Sequence, residues 1–301
     1  MNAERSGYWL GAFLVFLAAF CFATKGILIK LAYQYPIDPI TLLTLRMLFA
    51  LPFYVGIILY GIRKGEQIPV LTIRQWSALA IFGITGYYLA SFFNFLGLVY
   101  ITASLERILL FVYPTFVLIM NAVGLGRRVT ALQVGALLLT YTGIVIAFWG
   151  NVTTSIQKDV VLGAFWVILS GVVYAIYLVG SDRMIARIGA RQFTCYAMIA
   201  ATIPTVAHYS SQNGLQLAHI PTPVYLLAIT MAIFVTVIPT FLIAEGIKRI
   251  GSGNASIIAS IGPIFTIFLS TYILHETISY EQLIGTFFVL TGVFIIGWRG
   301  K

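Results

Sequence analysis

Apolar residues occupy most of this chain in long, nearly unbroken runs. Ten such runs can be marked, and each is long enough for an α-helix, at about 1.5 Å per residue, to cross about 30 Å of hydrocarbon. The runs do not alternate polar and apolar residues, as strands of a membrane β-barrel would. Glycine or proline separates most of them, including Gly251 and Gly253 before the ninth run, and these residues predict turns. The predicted transmembrane helices are residues 9–33, 41–62, 75–99, 104–126, 131–149, 160–181, 192–210, 222–246, 254–274 and 280–298.

Composition supports a membrane protein. Hydrophobic residues make up 60% and charged residues 9% of the 301 residues, against about 45–50% and about 25% in soluble domains. A net charge of +9 would suggest nucleic acid in a soluble protein, but in a membrane protein basic residues collect in cytoplasmic segments. Placing both termini inside puts 13 of the 18 Lys and Arg residues there. We therefore predict a multi-pass protein of the cell membrane, the inner membrane in a bacterium, with both termini cytoplasmic and an uncleaved first helix.

The chain resembles itself at a spacing of 149 residues. The recurring markers are Pro114 with Pro263, Gln133 with Gln282, and Thr142-Gly143 with Thr291-Gly292. Each half then holds five helices, and this odd number makes the second half enter the membrane from the opposite side. The predicted fold is an all-α integral membrane protein with ten transmembrane helices in two inverted five-helix repeats, residues 1–153 and 154–301, joined in one membrane domain. Inverted repeats are common in secondary transporters, whose substrate site lies near the midplane.

Short motifs in both halves resemble the EamA family of the drug/metabolite transporter superfamily. Phe22-Ala23-Thr24 followed by Lys30 resembles its Trp-Gly-Ser…Lys opening, and Asp38-Pro39 followed by Arg46 resembles its second-span signature. The stretches 103–143 and 252–292 resemble its repeated C-terminal half. The resemblance covers nearly the whole chain. It implies ten helices in two inverted repeats and a role in exporting amino acids or other metabolites.

Three ionisable residues lie within the predicted membrane region: Lys25 in the first run, and Glu106 and Arg107 in the fourth. A buried charge costs about 2.5–3.5 kcal/mol on insertion scales, so each needs a partner or a role. One interpretation is a structural salt bridge between Glu106 and Lys25. The other is that at least one of the three binds substrate or couples transport to protons. Lys30 and Arg46 lie nearer the predicted outer ends, where their long side chains are expected to reach the interface.

Polar side chains at helical spacing predict the wall of a central cavity between spans 1, 3, 4, 6, 8 and 9. Aromatic walls with a few polar groups suit a small organic solute, although single serines often serve only in helix packing. Three prolines inside the runs are predicted to act as hinges or kinks. The cavity candidates are Tyr87, Ser91, Asn94, Tyr113, Tyr174, Tyr177, Ser256 and Ser260, and the prolines are Pro114, Pro239 and Pro263.

Glycines in the fifth and tenth runs predict a close helix contact. Gly135 and Gly143 lie in the fifth run, and Gly285 and Gly292 lie in the tenth. Small residues let helix backbones approach closely in a membrane. The resemblance implies that these helices hold the two halves together, so we interpret the contact as an internal scaffold. A contact between two copies of the chain is the alternative.

These features favour a secondary transporter over a channel or an enzyme. A channel needs a continuous polar or charged file, and an ATP-driven pump needs a nucleotide-binding motif; neither is evident. The two cysteines, Cys21 and Cys195, lie within apolar runs, so no disulfide framework, metal site or cofactor is predicted. The predicted partners are membrane lipid and a small-molecule substrate, without nucleic acid; proton coupling stays open, and a monomer is favoured.

The predicted substrate is a small organic metabolite, most favourably an amino acid or related compound, moved in the export direction by alternating access. Glu106 would suit an amine, and Lys25 or Arg107 would suit a carboxylate. Organic anions would instead suit Lys25 together with Arg107, and hydrophobic or cationic drugs would suit the tyrosines with Glu106. Organic anions, nucleobase-type solutes and such drugs are therefore the alternatives.

Overall fold

The computed structural model describes residues 2–66, 69–125, 130–154, 159–214, 220–259 and 261–298, and within these residues the protein is almost entirely helical, with no strand. The helices are α1 (Asn2–Ala32), α2 (Pro39–Arg63), α3 (Ile73–Gly83), α4 (Ala90–Tyr100), α5 (Ala103–Leu110), α6 (Tyr113–Leu125), α7 (Ala131–Thr154), α8 (Val160–Ile188), α9 (Ala190–Asn213), α10 (Thr222–Thr230), α11 (Ile238–Ala259), α12 (Gly262–Leu274) and α13 (Tyr280–Trp298). Wider π-helical segments, Ile84–Leu89 and Met231–Val237, join α3 to α4 and α10 to α11.

The helices have the length and apolar character of membrane spans. In the described part of the chain, seven are long and apolar enough to cross a membrane, and two shorter apolar helices cover Gly262–Leu274 and Tyr280–Ile295. The seven are Gly7–Ala32, Pro39–Arg63, Ile73–Tyr100, Ala103–Gly124, Ala131–Gly150, Val160–Ile188 and Thr222–Ile250. The more polar α9 covers the seventh predicted run. The predicted fold class, an all-α membrane protein of about ten spanning helices, is confirmed.

Helix ends follow local sequence signals. Asp38 caps α2: its Oδ1 accepts a hydrogen bond from the backbone N–H of Thr41 at 2.9 Å, and Pro39 occupies the first turn. Thr72 and Gln75 form a reciprocal capping box at the start of α3. Such residues satisfy N–H groups that have no partner within the helix. The boundaries of α2 and α3 are therefore determined locally.

Prolines mark breaks within the spans. The fourth span is broken between α5 and α6, and Pro114 is the second residue of α6. Pro263 lies in the first turn of α12, and Pro239 follows the π-helical segment as the second residue of α11. Proline is tolerated at a helix start because the N–H it lacks has no partner there. Pro114 and Pro263 therefore lie at helix starts and Pro239 just after a π-helical segment, and a hinge motion at the three prolines stays a prediction.

One predicted turn is wrong. Gly251 and Gly253 do not end a helix, because α11 continues through them to Ala259. Glycine lowers helix propensity by about 1 kcal/mol but keeps its backbone N–H. Proline loses that N–H, and the break before α12 accordingly falls next to Pro263 rather than at the glycines.

The two halves of the sequence are interleaved. Helix α1 packs against α11 and α12, α2 against α9, and α4 against α8. The largest buried apolar cluster surrounds α2, from Ile40 to Tyr54, and includes residues of α1, α4, α9 and α10. Side chains of the first half therefore meet those of the second at many points. The division at residues 153 and 154 stays a prediction.

Helices α7 and α13 meet along a glycine seam, formed by Gly143, Gly285 and Gly292. A Cβ added to Gly143 would lie 2.5 Å from the carbonyl oxygen of Gly285, and one added to Gly292 would lie 2.6 Å from that of Ala136. The predicted close contact is thus confirmed within one chain for these three residues. It is wrong for Gly135, which is exposed and has no atom within 4 Å of the corresponding point. Ala136, the next residue, takes the seam position because it lies about 100° further around the helix.

Candidate functional site: a buried charged cluster

Helix α5 carries the two charged residues predicted in the fourth span. Thr102 caps it, since its Oγ1 accepts a hydrogen bond from the backbone N–H of Leu105 at 3.2 Å. Eight residues later the helix ends at Leu110. Glu106 is only 1% exposed and lies in the first turn, where the helix dipole stabilises negative charge. The short helix thus fixes a buried carboxylate near its positive end.

Glu106 is held by side chains from two neighbouring helices. Asn94 Nδ2 on α4 donates a hydrogen bond to Glu106 Oε1 at 2.5 Å, and Lys25 Nζ on α1 lies 3.6 Å from the same oxygen. Gly26 permits this approach, because a Cβ there would lie 3.2 Å from the Cβ of Ala103. The predicted pairing of Lys25 with Glu106 is therefore present. Whether the pair is structural or functional is a separate question.

Arg107 lies between the halves. Its guanidinium contacts Gly262 at the start of α12, where an added Cβ would lie 2.6 Å from a terminal nitrogen. Its Nε is buried and has no hydrogen-bond partner among the described residues. Within that part of the chain, no carboxylate lies within salt-bridge distance of Arg107. The sequence identified Arg107 as a candidate but not Gly262. Nothing in the sequence marked Gly262 as a site residue except its position next to Pro263.

Arg46 is a site residue that the sequence reasoning missed. It does not extend to the interface but is buried within the helices, at 6% exposure. Its Nη2 donates a hydrogen bond to Ser91 Oγ at 3.1 Å, and its guanidinium carbon lies 5.3 Å from the ring centroid of Phe95. Arg46 follows Pro39 by seven residues, or about 10 Å along the helix. Lys25 was selected as a site residue because it lies at a similar depth from its helix end. The same criterion, applied to Arg46, would have identified it.

Together, Lys25, Arg46, Glu106 and Arg107 form what we call the charged cluster. The charges of Glu106, Arg107 and Arg46 all act on Lys25. Ser91 and Asn94 lie one turn apart on α4, and they link Arg46 to Glu106 through the hydrogen bonds described above. Three cations and one carboxylate leave the cluster with excess positive charge. In the cluster and at Asn94, three buried polar atoms have no hydrogen-bond partner among the described residues: Nε of Arg46, Nε of Arg107 and Oδ1 of Asn94.

An aromatic column extends from the charged cluster. It consists of the stacked or edge-to-face rings of Tyr113, Tyr174, Tyr177 and Phe193, whose successive centroids lie 5.5, 5.6 and 6.2 Å apart. Arg107 acts electrostatically on Tyr113 and Tyr174, which places the near end of the column beside the cluster. The sequence identified the three tyrosines; Phe193, on α9, was missed because it lacks a polar group.

Tyr87 joins the column from the π-helical segment. Its hydroxyl lies 2.9 Å from the hydroxyl of Tyr177. Gly86 leaves room for the Tyr177 ring, since an added Cβ would overlap that ring. Tyr87, Ser91 and Asn94 were predicted to share a face of the third span, and each contacts the column or the charged cluster. The two remaining candidates cannot be placed: Ser260 and the side chain of Ser256 lie outside the described residues.

Glu276, in the connection between α12 and α13, caps α5 from the other half. It accepts hydrogen bonds from the backbone N–H groups of Ala103 at 2.8 Å and Ser104 at 3.3 Å, and from Ser104 Oγ at 2.9 Å. Ser104 Oγ also lies 2.6 Å from Ser270 Oγ. Lys30 interacts electrostatically with Glu276. Lys30 Nζ donates a hydrogen bond to the carbonyl oxygen of Leu98 at 3.1 Å.

A pocket at the Arg63 end of α2 lies apart from these residues. It is lined by apolar residues of α2, by Cys195 and Tyr196 of α9, and by the ion pair of Glu66 with Arg191. None of the predicted site residues lines it. The candidate site is therefore the charged cluster with its aromatic column.

Comparison with known proteins gives the family. The profile of the EamA-like transporter family matches residues 9–149 and again residues 161–298. The chain belongs to the EamA-like transporter family. Membership confirms the resemblance seen in the sequence motifs. It also confirms that this EamA protein is a transporter, not an enzyme.

Individual relatives agree with this assignment. The chain is 34% identical to the uncharacterized transporter YcbK of Bacillus subtilis, over 94% of this chain and 92% of that protein. It is 27% identical to an uncharacterized transporter of Archaeoglobus fulgidus, over 86% and 89% of the two chains. A crystal structure with 16% identity has the same fold, with a TM-score of 0.63 over 96% of this chain and 97% of the other.

Proposed function

We propose that this EamA-like protein is a secondary transporter that exports a small organic metabolite of the amino-acid type across the cell membrane by alternating access. The observation that carries the proposal is the charged cluster, in which Arg107 of the first half contacts Gly262 of the second. Buried charge is expensive in a membrane, and several polar atoms at this cluster lack a partner within the described part of the chain. A polar solute can supply those partners.

Broken helices around the cluster support a transport site. Helix α5 ends shortly after Arg107, and α12 begins at Gly262. Secondary transporters commonly bind their solutes at such interrupted helices between two inverted repeats. We assign the repeats to residues 1–153 and 154–301. Movement of one repeat against the other would expose the cluster to each side in turn, with Pro114 and Pro263 as the flexible points.

The chemistry of each residue suggests its role. Lys25 and Arg107 bind the carboxylate of the solute, and Glu106 binds its amine or exchanges a proton for it. Tyr113, Tyr174 and the hydroxyl pair of the column form the wall. The distribution of 13 of the 18 basic residues supports cytoplasmic termini. Export then runs from the side of the termini to the side of the Glu276 cap.

Counterflow in proteoliposomes tests the proposal. Vesicles containing the purified protein are loaded with an unlabelled amino-acid mixture, and entry of labelled amino acids is measured at several pH values. We expect counterflow, and we expect Glu106→Gln to lower it at least about 30-fold, because losing one partner of a buried charge pair in a binding site costs about 2 kcal/mol or more. Absence of counterflow in the folded wild-type protein would contradict the proposal.

A double variant separates coupling from structure. If Glu106 only neutralises Lys25, adding Lys25→Met to Glu106→Gln removes the unpaired charge and restores full, pH-dependent transport. If both residues act in transport, we expect the double variant to recover stability but not transport. Melting temperature and transport are measured at matched protein amounts.

A further inference from the structure

The charged cluster has an excess of positive charge. The substrate prediction made from the sequence did not consider this excess, because it did not place Arg46 in the cluster. Lys25, Arg46 and Arg107 contribute three cations and Glu106 one carboxylate, so the net charge is two positive. No carboxylate in the described ranges lies within salt-bridge distance of Arg46 or Arg107. A buried charge without a counter-charge is costly unless a ligand supplies one.

Arg46 provides the strongest indication that this site binds an acidic ligand. Its side chain is 94% buried, given an exposure of 6%. Its protein contacts are neutral: the hydroxyl of Ser91, the sulfur of Met47 at 3.9 Å and the ring of Phe95. Its Nε has no partner in the part of the chain that the structure describes. A guanidinium has five donors suited to a planar carboxylate, and these contacts leave donors unused.

Glu106, by contrast, already has protein partners at one of its two oxygens. The same oxygen, Oε1, accepts the hydrogen bond of Asn94 and faces the ammonium of Lys25. Glu106 neutralises one of the three cations, so two positive charges remain in the cluster. A zwitterion with one carboxylate and one ammonium group would bring no net negative charge to this environment. A solute with two carboxylates would place one on each of the two remaining guanidinium groups; a dicarboxylate would balance both charges and an acidic amino acid one of them.

We propose that the transported solute is a small organic anion with two carboxylates, an acidic amino acid or a dicarboxylate, bound by Arg107 at one end and by Arg46 at the other. The unpartnered Asn94 Oδ1 then accepts a hydrogen bond from an amine or hydroxyl between them. This inference rests on the proposed transport function and narrows its substrate. It adds Arg46, on α2, to the binding residues.

Pairs of solutes that differ only in one charged group test the inference. Glutamate is compared with glutamine, and succinate with its monoamide, as competitors and as labelled solutes in counterflow. We expect each acid to have a KM at least about tenfold lower than its amide, equal to about 1.4 kcal/mol. This comparison uses the wild-type protein and does not depend on the folding of a variant.

Variants of Arg46 add the residue-level test. Arg46→Gln is expected to raise the KM for the acids at least about 30-fold and to abolish the preference for acid over amide. Arg46→Lys should retain part of that preference because it keeps the charge. Arg74→Gln, which removes an exposed cation remote from the cluster, is the matched control and should behave as wild type.

Three results overturn the inference. Equal transport of acids and amides overturns the preference for two carboxylates but leaves the proposed transport function intact. A folded Arg46→Gln protein that still prefers acids would show that Arg46 does not bind the second carboxylate, and this result overturns the two-ended site. Failure of both acids to move also overturns it; the proposed function is then judged by counterflow of neutral amino acids.

Discussion

The glycine seam and the contact of the charged cluster with Gly262 both join the two halves of the chain, but by opposite means. At the seam, Gly143 and Gly285 bring two backbones into direct contact. In the cluster, charged side chains meet, and polar atoms of Arg46, Asn94 and Arg107 have no partner in the residues that the structure describes. A contact in which every group has a partner within the protein stabilises the fold. One that lacks partners is expected to gain them from a solute, so stability and function belong to different regions.

The largest expected effect lies at the seam. In Gly285→Leu the new side chain overlaps the backbone of α7 at Gly143, and backbone cannot move aside as a flexible side chain can. Overpacking costs about 1–3 kcal/mol or more, so we expect loss of monodisperse protein or a clear fall in melting temperature. The measurements are size-exclusion chromatography in detergent and thermal unfolding.

Gly135→Leu is the matched control for this variant. It places the same side chain on α7, but where no atom lies within 4 Å. Wild-type stability is expected. Equal destabilisation by both variants would show that bulk anywhere on these helices, and not the seam, determines the result.

A smaller glycine change should separate function from stability at the cluster. In Gly262→Ala the added methyl group first meets the terminal nitrogen of Arg107, the flexible end of a side chain. The guanidinium must shift, and misplacement of a binding group by about 1 Å can cost up to about 100-fold in rate. We expect transport to fall about 10- to 100-fold while the melting temperature hardly changes.

The comparison for Gly262→Ala is Gly124→Ala, where an added methyl group meets nothing within 4 Å. It should leave transport and stability unchanged. A Gly262→Ala protein that transports normally would mean that the contact with Arg107 has no role in the solute site.

The smallest expected effect concerns the hydroxyl pair of Tyr87 and Tyr177. A neutral hydrogen bond contributes about 0.5–1.5 kcal/mol, so Tyr87→Phe and Tyr177→Phe should each lower stability by about that amount. The double variant should cost no more than the costlier of the two single variants, because both changes remove the same bond between the two hydroxyls. Transport is expected to fall less than in Gly262→Ala.

Thermal unfolding of the two single variants and the double variant completes this cycle. Additive losses would contradict the hydroxyl pair as a shared interaction. They would indicate instead that each hydroxyl is stabilised elsewhere, that of Tyr87 for example by the nearby Thr194.

Local chemistry made much of the fold predictable. The ten apolar runs predicted the spans, Asp38 and Pro39 predicted the start of α2, and the motifs around Lys30 and Pro263 predicted the family. The cost of burying charge singled out Lys25, Glu106 and Arg107. Helical spacing placed Ser91 and Asn94 on one face. Each inference uses residues within a few turns of one another, where sequence separation determines geometry.

Other features depend on residues far apart in the sequence. Arg46 was expected at the interface, but the packing of α2 among its neighbours encloses it. The Glu276 cap joins residues 103 and 276, and the contact of Arg107 with Gly262 joins two halves of the chain. Gly135 and Gly143 look alike in sequence, yet only the rotation of α7 against α13 decides which one lies at the seam.

The sequence by itself thus determined the membrane environment, the helices, the transporter family and three of the four charged residues. These follow from the cost of exposing apolar groups to water and of burying charge, which depends on residue type and local periodicity. The tertiary structure alone decided that Arg46 joins the cluster and that positive charge is in excess there. Electrostatic balance depends on distances between helices, and those distances are set by packing across the whole chain.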